Sequence, residues 1–330
     1  MKLTLKAIFP YSCFLVGVLA GWGYYMWSTG SFVLYREHWA APLTMVLGSF
    51  VAGASSEGGG AVAFPVFTLL LGIEPATARN FSFAIQSIGM TAASLLIFSL
   101  KIPVEKTVIR YTVPGGLLGI AFGTWLLVPL ISPTLVKLFF VSLWLSFGFA
   151  LYLTNLNPGR PVFNSLRQNL PSDRLLLLAT GFAGGCITAI FGNGIDMLTF
   201  CLIVLFYQIS EKVATPTSVV VMTFNTIFGF LLHLFVIKDF QLQAFHDWLC
   251  SIPVVVFFAP LGAYVISKLN RLVIATLLYC IIVVQFIGAL WVIRPNMHQG
   301  LFSVAVCLSG IVLFSLLKRK KARETKEKTC

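Results

Sequence analysis

Apolar positions in this chain come in unbroken runs rather than in alternation, and the polar positions collect in the gaps between runs. Eight runs, at residues 8–27, 80–99, 111–130, 134–153, 214–236, 250–267, 272–293 and 300–317, have the length of a straight helical crossing of a bilayer. Continuous runs of this kind exclude a β-barrel, whose strands alternate in polarity over about ten residues. They predict an all-α polytopic membrane protein.

Two further apolar regions do not suit a straight crossing. Residues 39–72 read as an arm of about sixteen residues, a break, and an arm of about thirteen, each too short alone and the pair too long together. The break is Ser55-Ser56-Glu57-Gly58-Gly59-Gly60, with Pro65 after it. Residues 175–208 repeat the form around Phe191-Gly192-Asn193-Gly194-Ile195-Asp196. Consecutive glycines weaken a helix and bare its backbone polar groups. Inside hydrocarbon such backbone persists only where protein encloses it or where it lines a wet cavity, so both breaks are candidate binding sites.

Basic residues decide how these regions lie, because Lys and Arg gather on the cytoplasmic side. If both are hairpins that return to the side they came from, 18 of the 23 basic residues fall inside, leaving Arg36, Arg79, Lys137, Lys238 and Arg294 outside. If both cross once, the division is 14 against 9. The hairpin arrangement is expected, with both termini cytoplasmic. The first hairpin then dips from outside and the second from inside, each followed by three spans. Residues 39–153 and 175–293 become two inverted repeats joined by a polar cytoplasmic linker at 154–174. An additional helix and outside loop (1–38) precede them, and a further helix with a basic tail (294–330) follows. Direct similarity supports the repeat: Gly58 stands 134 positions before Gly192, and the stretch Glu74 to Ser82 stands about 136 before Glu211 to Ser218. Inverted repeats with paired broken helices point to a secondary transporter whose substrate binds near the bilayer midplane.

The break of small residues followed by a proline, and the A-x-x-T-S-like start of the next span, both occurring twice, resemble the TauE/SafE family of sulfite and organosulfonate exporters. The resemblance covers roughly residues 40–293. It implies a membrane carrier of small, often sulfur-containing anions, working without ATP as a homodimer or monomer. The chain departs from the family pattern at Glu57, at Asp196 close behind Gly192-Asn193-Gly194, and at Arg79 and Asn80.

Where a glycine-rich break leads into a helix, unpaired N–H groups and the helix dipole suit an anion. That makes Ser55, Ser56, Gly58, Gly59, Gly60, Gly192, Asn193 and Gly194 candidate substrate contacts. Arg79, Asn80, Ser82 and Gln86 follow at the start of the span at 80, with Arg79, Ser82 and Gln86 on one helical face. Arg79 either forks an anion or serves as an interfacial partner for Glu57 or Glu74. Thr217, Ser218, Thr223 and Asn225 are the polar set of the second repeat, open equally to interhelical hydrogen bonding. Glu57 and Asp196 would repel an anion when ionised; protonated, either would couple transport to a proton. If they stay charged, a cationic or zwitterionic solute is favoured. A channel and an intramembrane enzyme are the other classes these features permit.

Composition agrees with this picture. The 330 residues are 58% hydrophobic and 10% charged, unlike a soluble domain. The net charge of +12 lies between spans and in the tail, so nucleic acid is not an expected partner; membrane lipid and a small anion are. The seven cysteines are scattered without a CxxC pair, and no metal site, cofactor, phosphate loop or nucleophile–base constellation is expected. The first segment reads as a retained helix rather than a cleaved leader, in a plasma (inner) membrane protein.

Overall fold

A computed structural model describes residues 8–56, 58–156, 162–166 and 170–327. Twelve helices account for nearly all of them. They are α1 (Phe9–Ser28), α2 (Ala40–Ala54), α3 (Gly60–Pro65), α4 (Pro75–Ser99), α5 (Lys106–Phe122), α6 (Pro133–Asn155), α7 (Pro171–Phe191), α8 (Ile195–Cys201), α9 (Glu211–Leu231), α10 (Leu242–Lys268), α11 (Arg271–Ile293) and α12 (Met297–Glu327). Wider π-helical turns prolong α3 to Leu70, α5 to Leu127, α8 to Phe206 and α9 to Ile237. Among the described residues the β pairing is an isolated bridge between Phe163 and Ile209.

Seven helices are long and apolar enough to cross a membrane, and together with the absence of named strands among the described residues they make this an all-α polytopic membrane protein. α1 forms over the expected residues but is not one of the seven, because its glycines, tyrosines and tryptophans lower its mean hydropathy. Several spans start earlier than hydropathy suggests. α4 begins at Pro75, and α10 at Leu242, eight residues before 250. The polar start of α10 is held in the helix because Asp247 pairs with His38 at 2.7 Å. α7 is likewise longer than a half-arm, since its polar residues Pro171 to Arg174 join the helix.

The bundle buries polar residues among its apolar core and turns apolar side chains outward. Asn80, Ser82, Gln86, Asn193, Asp196, Thr217, Ser218 and Asn225 are all buried, while Leu118, Val284 and Trp291 are exposed. Hydrocarbon tolerates that arrangement, since lipid solvates the leucines and the polar groups find partners within the bundle.

The broken regions double back. Val62 of α3 lies beside Gly48 of α2, and Ile195 of α8 lies against Gly184 of α7. At the far end of the second region the Tyr207 hydroxyl donates to the Asp173 carboxylate at 2.9 Å, so the segment after the break runs back along the segment before it. Each first arm also packs, backbone against backbone, on the second full helix after the other break. Gly53 of α2 meets the Ala259 carbonyl of α10, and Gly262 meets that of Phe50. Gly181 and Gly185 of α7 meet the carbonyls of Thr112 and Gly116 on α5. A side chain at any of these positions would overlap main chain, which is why small residues are required. The first full helices after the breaks, α4 and α9, cross where the Ser94 and Thr223 hydroxyls stand 2.8 Å apart.

The helices outside this exchange attach peripherally. Trp22 of α1 donates to the Leu249 carbonyl at 2.8 Å, and Ser303 of α12 bonds Ser142 of α6 at 2.6 Å.

Candidate functional site

Gln86 is the side chain on which the two breaks meet. Its carbonyl oxygen accepts the Gly59 N–H at 3.1 Å. Its amide nitrogen donates to the Gly192 carbonyl at 2.9 Å and to the Ser82 hydroxyl at 2.7 Å. Ser82 in turn donates to the Gly192 carbonyl at 3.3 Å. One residue of α4 thus satisfies a bared donor of the first break and a bared acceptor of the second, as buried backbone requires. Positive φ at Gly58 (69°) and Gly192 (80°) bends the chain at both places, a conformation that glycine adopts without strain.

Asp196 completes this centre. One carboxylate oxygen accepts the N–H groups of Gly194 and Met197, each at 3.0 Å, and the Thr188 hydroxyl accepts that of Ile195 at 2.9 Å. The donors at the start of α8, which the sequence offers to an anion, are therefore occupied by the protein itself. The second Asp196 oxygen is buried with no hydrogen-bond partner among the described residues. It and the Gln86 carbonyl oxygen converge on Gly58, where a Cβ would stand 2.7 Å from each. Ser55, Ser56 and Asn193 are buried around them, and Gly60 opens α3. Glu57 lies outside the described residues. The space beside Gly59 and Gln86 is about 10 Å³, room for about one water. Gln86, Asn193 and Asp196, which form the centre, are buried.

Arg79 and Asn80 face elsewhere. The Arg79 main chain lies against Gly192, but its guanidinium donates to the Asp239 carboxylate at 2.9 Å. Asn80 donates to the Asp239 carbonyl and to the Gln241 side chain, both at 2.9 Å. His233 Nδ1 donates to the other Asp239 oxygen at 2.7 Å. Partial burial pushes the Asp239 carboxyl up, but the His233 hydrogen bond and the Arg79 charge outweigh it and hold the group below its ordinary value. These residues tie the start of α4 to the turn between α9 and α10.

In the second half, Thr217 accepts the Glu105 N–H at 2.9 Å, at the opposite end of the bundle. Ser218 and Asn225 bond carbonyls within α9, at Thr215 and Val221, and the Asn225 carbonyl oxygen lies against Gly116 of α5. The sequence candidates therefore divide into three places. Sequence reasoning passed over Asp239, Gln241 and Glu105. Asp239 had a signal: it is an acidic residue in a short loop on the side to which basic-residue placement assigns Arg79. Gln241 and Glu105 had none, being ordinary polar residues just before helices. Among the described residues, no group of three or more His, Cys, Asp or Glu could hold a metal ion.

Apolar spans enclosing a polar centre built from two breaks define an integral membrane protein of the transport class. The family model described as Sulfite exporter TauE/SafE matches residues 40–289, and the chain belongs to that family, whose members are membrane transporters rather than enzymes. No curated protein and no solved structure matches the chain.

Proposed function

We propose that this protein is a secondary transporter of a small anion, such as sulfite, an organosulfonate or a similar organic acid. It works by alternating access between two inverted repeats, 39–153 and 175–293, in the plasma (inner) membrane with both termini cytoplasmic. The substrate site is the centre where Gln86 joins the breaks, and the carrying observation is the buried Asp196 oxygen that lies against Gly58 with no hydrogen-bond partner among the described residues. The exchange of arms between halves, α2 on α10 and α7 on α5, supports the repeat.

The Gln86 carbonyl oxygen accepts the Gly59 N–H, whereas the second Asp196 oxygen has no hydrogen-bond partner among the described residues; a charge held that way is costly in a dry interior, and a proton on Asp196 lowers the cost. Protonation also weakens the hold of Asp196 on the Gly194 and Met197 N–H groups, which then serve an arriving anion. Proton and anion would bind together, and the buried centre would admit them only after the bundle opens on one side.

Counterflow of labelled sulfite in proteoliposomes tests the proposal. Asp196→Asn, which mimics the neutral acid, is expected to keep sulfite exchange but lose accumulation driven by a proton gradient. Proton-driven accumulation at the parent's level in this variant would exclude Asp196 as the coupling group, and large single-channel currents would replace the carrier with a channel.

A further inference from the structure

The buried centre leaves open which contacts part to admit substrate at each end. The same offset that relates the two breaks relates two hydrogen-bonded clasps. At one end Asn80, near the start of α4, donates to Gln241, the residue capping the start of α10. At the other end Thr217, near the start of α9, accepts the N–H of Glu105, the residue capping the start of α5. Gln241 stands 136 positions after Glu105, and Thr217 stands 137 after Asn80. In each half, then, the first full helix after a break is pinned at its start to the N-cap of the second full helix of the other half. Because α4 and α9 run in opposite directions past the Ser94–Thr223 crossing, the clasps lie at opposite ends of the bundle with the centre between them.

We propose that these clasps are the two gates of the transport cycle, opened in turn: Asn80–Gln241 at the end where α4 starts and Thr217–Glu105 at the end where α9 starts. This rests on the transporter function above. The residues act as positioning residues; they set which end can part, not what binds. Their composition is unequal. The Asn80 clasp is reinforced by the Arg79–Asp239 ion pair at 2.9 Å, by the second Asn80 bond to the Asp239 carbonyl, and by His233. The Thr217 clasp is a bond to a backbone N–H, and the Glu105 carboxylate accepts the N–H groups of Thr107 and Leu166 beside it. By basic-residue placement the Thr217 end is the cytoplasmic face and the Asn80 end the outer face.

Labelling of a single cysteine tests this without any substrate. Ser56 is buried in the first break, between the clasps, and Ser56→Cys in a background otherwise free of cysteine is the reporter. An impermeant maleimide is applied to right-side-out or inverted vesicles. Asn80→Ala should raise labelling from the outer face about tenfold, as losing a hydrogen bond of ordinary net strength would. Thr217→Val should raise labelling from the cytoplasmic face, and Thr217→Ser, which keeps the hydroxyl, should restore the parent rate. Gln241→Leu replaces Asn80→Ala if the latter does not fold. Equal changes at both faces, no change, or effects at the wrong face would overturn the gates. Loss of sulfite counterflow in the parent, with sided labelling retained, would instead strike the assigned substrate and leave the gates standing.

Discussion

The Gln86 amide nitrogen stands 2.9 Å from the Gly192 carbonyl, tying the first full helix after one break to the residue that opens the other. Its carbonyl oxygen holds Gly59 at the same time, so one side chain fixes the spacing of the two breaks.

Gln86→Leu should therefore leave the Gly59 N–H without its partner and strip one donor from the Gly192 carbonyl. A buried polar group left unsatisfied costs about 1–3 kcal/mol. A lowered thermal unfolding midpoint in detergent is expected, together with loss of the shift that sulfite gives the parent protein. An unchanged midpoint with the sulfite shift intact would mean that Gln86 does not organise the centre.

Two glycine substitutions should diverge. Gly192→Ala places a Cβ at a φ of 80° and within 2.8 Å of Ser82 and the Arg79 carbonyl, so a loss of more than about 1 kcal/mol is expected. Gly288→Ala, in α11, meets nothing within 4 Å and should be neutral or stabilising by about 0.5–1 kcal/mol, as usual within a helix. Paired unfolding curves check both.

The Arg79–Asp239 pair should be insensitive to ordinary changes of pH. Asp239 titrates below its ordinary value of 3.8, so its contribution is complete above that value and fades as pH falls below it through the folded-state value. Asp239→Asn should lower stability by about 1–3 kcal/mol, because it leaves a buried guanidinium without its counter-charge while solvent at Asp239 screens part of the loss. The gap between the two proteins should stay constant from about pH 5 to pH 8 and close under stronger acid. A gap that already narrows near pH 6 would assign the titration to another group.

Hydropathy and glycine placement made the class of fold legible from sequence. A run of about twenty apolar residues has one stable form in lipid, and a glycine triplet inside such a run is costly enough to demand a purpose. The near-repeat of Glu74 to Ser82 at Glu211 to Ser218 showed that the breaks come as a pair. Helix starts were less legible. The polar residues opening α7 and α10 join the helix because Asp173 and Asp247 find the partners Tyr207 and His38, which are far away in sequence.

What each site residue faces was decided by tertiary packing alone. Arg79, Ser82 and Gln86 share a face of α4 in any helical drawing. Yet the Arg79 side chain is long enough to reach the turn after α9, while Ser82 and Gln86 stop at Gly192. Asp196 could have stood as a free charge in the second break; folding back on the start of its own helix gives one of its oxygens two backbone donors and leaves the other against Gly58. Local sequence fixes which groups need partners, because propensity and desolvation act over a few residues. The partners that Arg79, Ser82 and Gln86 find across the bundle lie more than a hundred positions away, and those contacts exist only once the helices have packed.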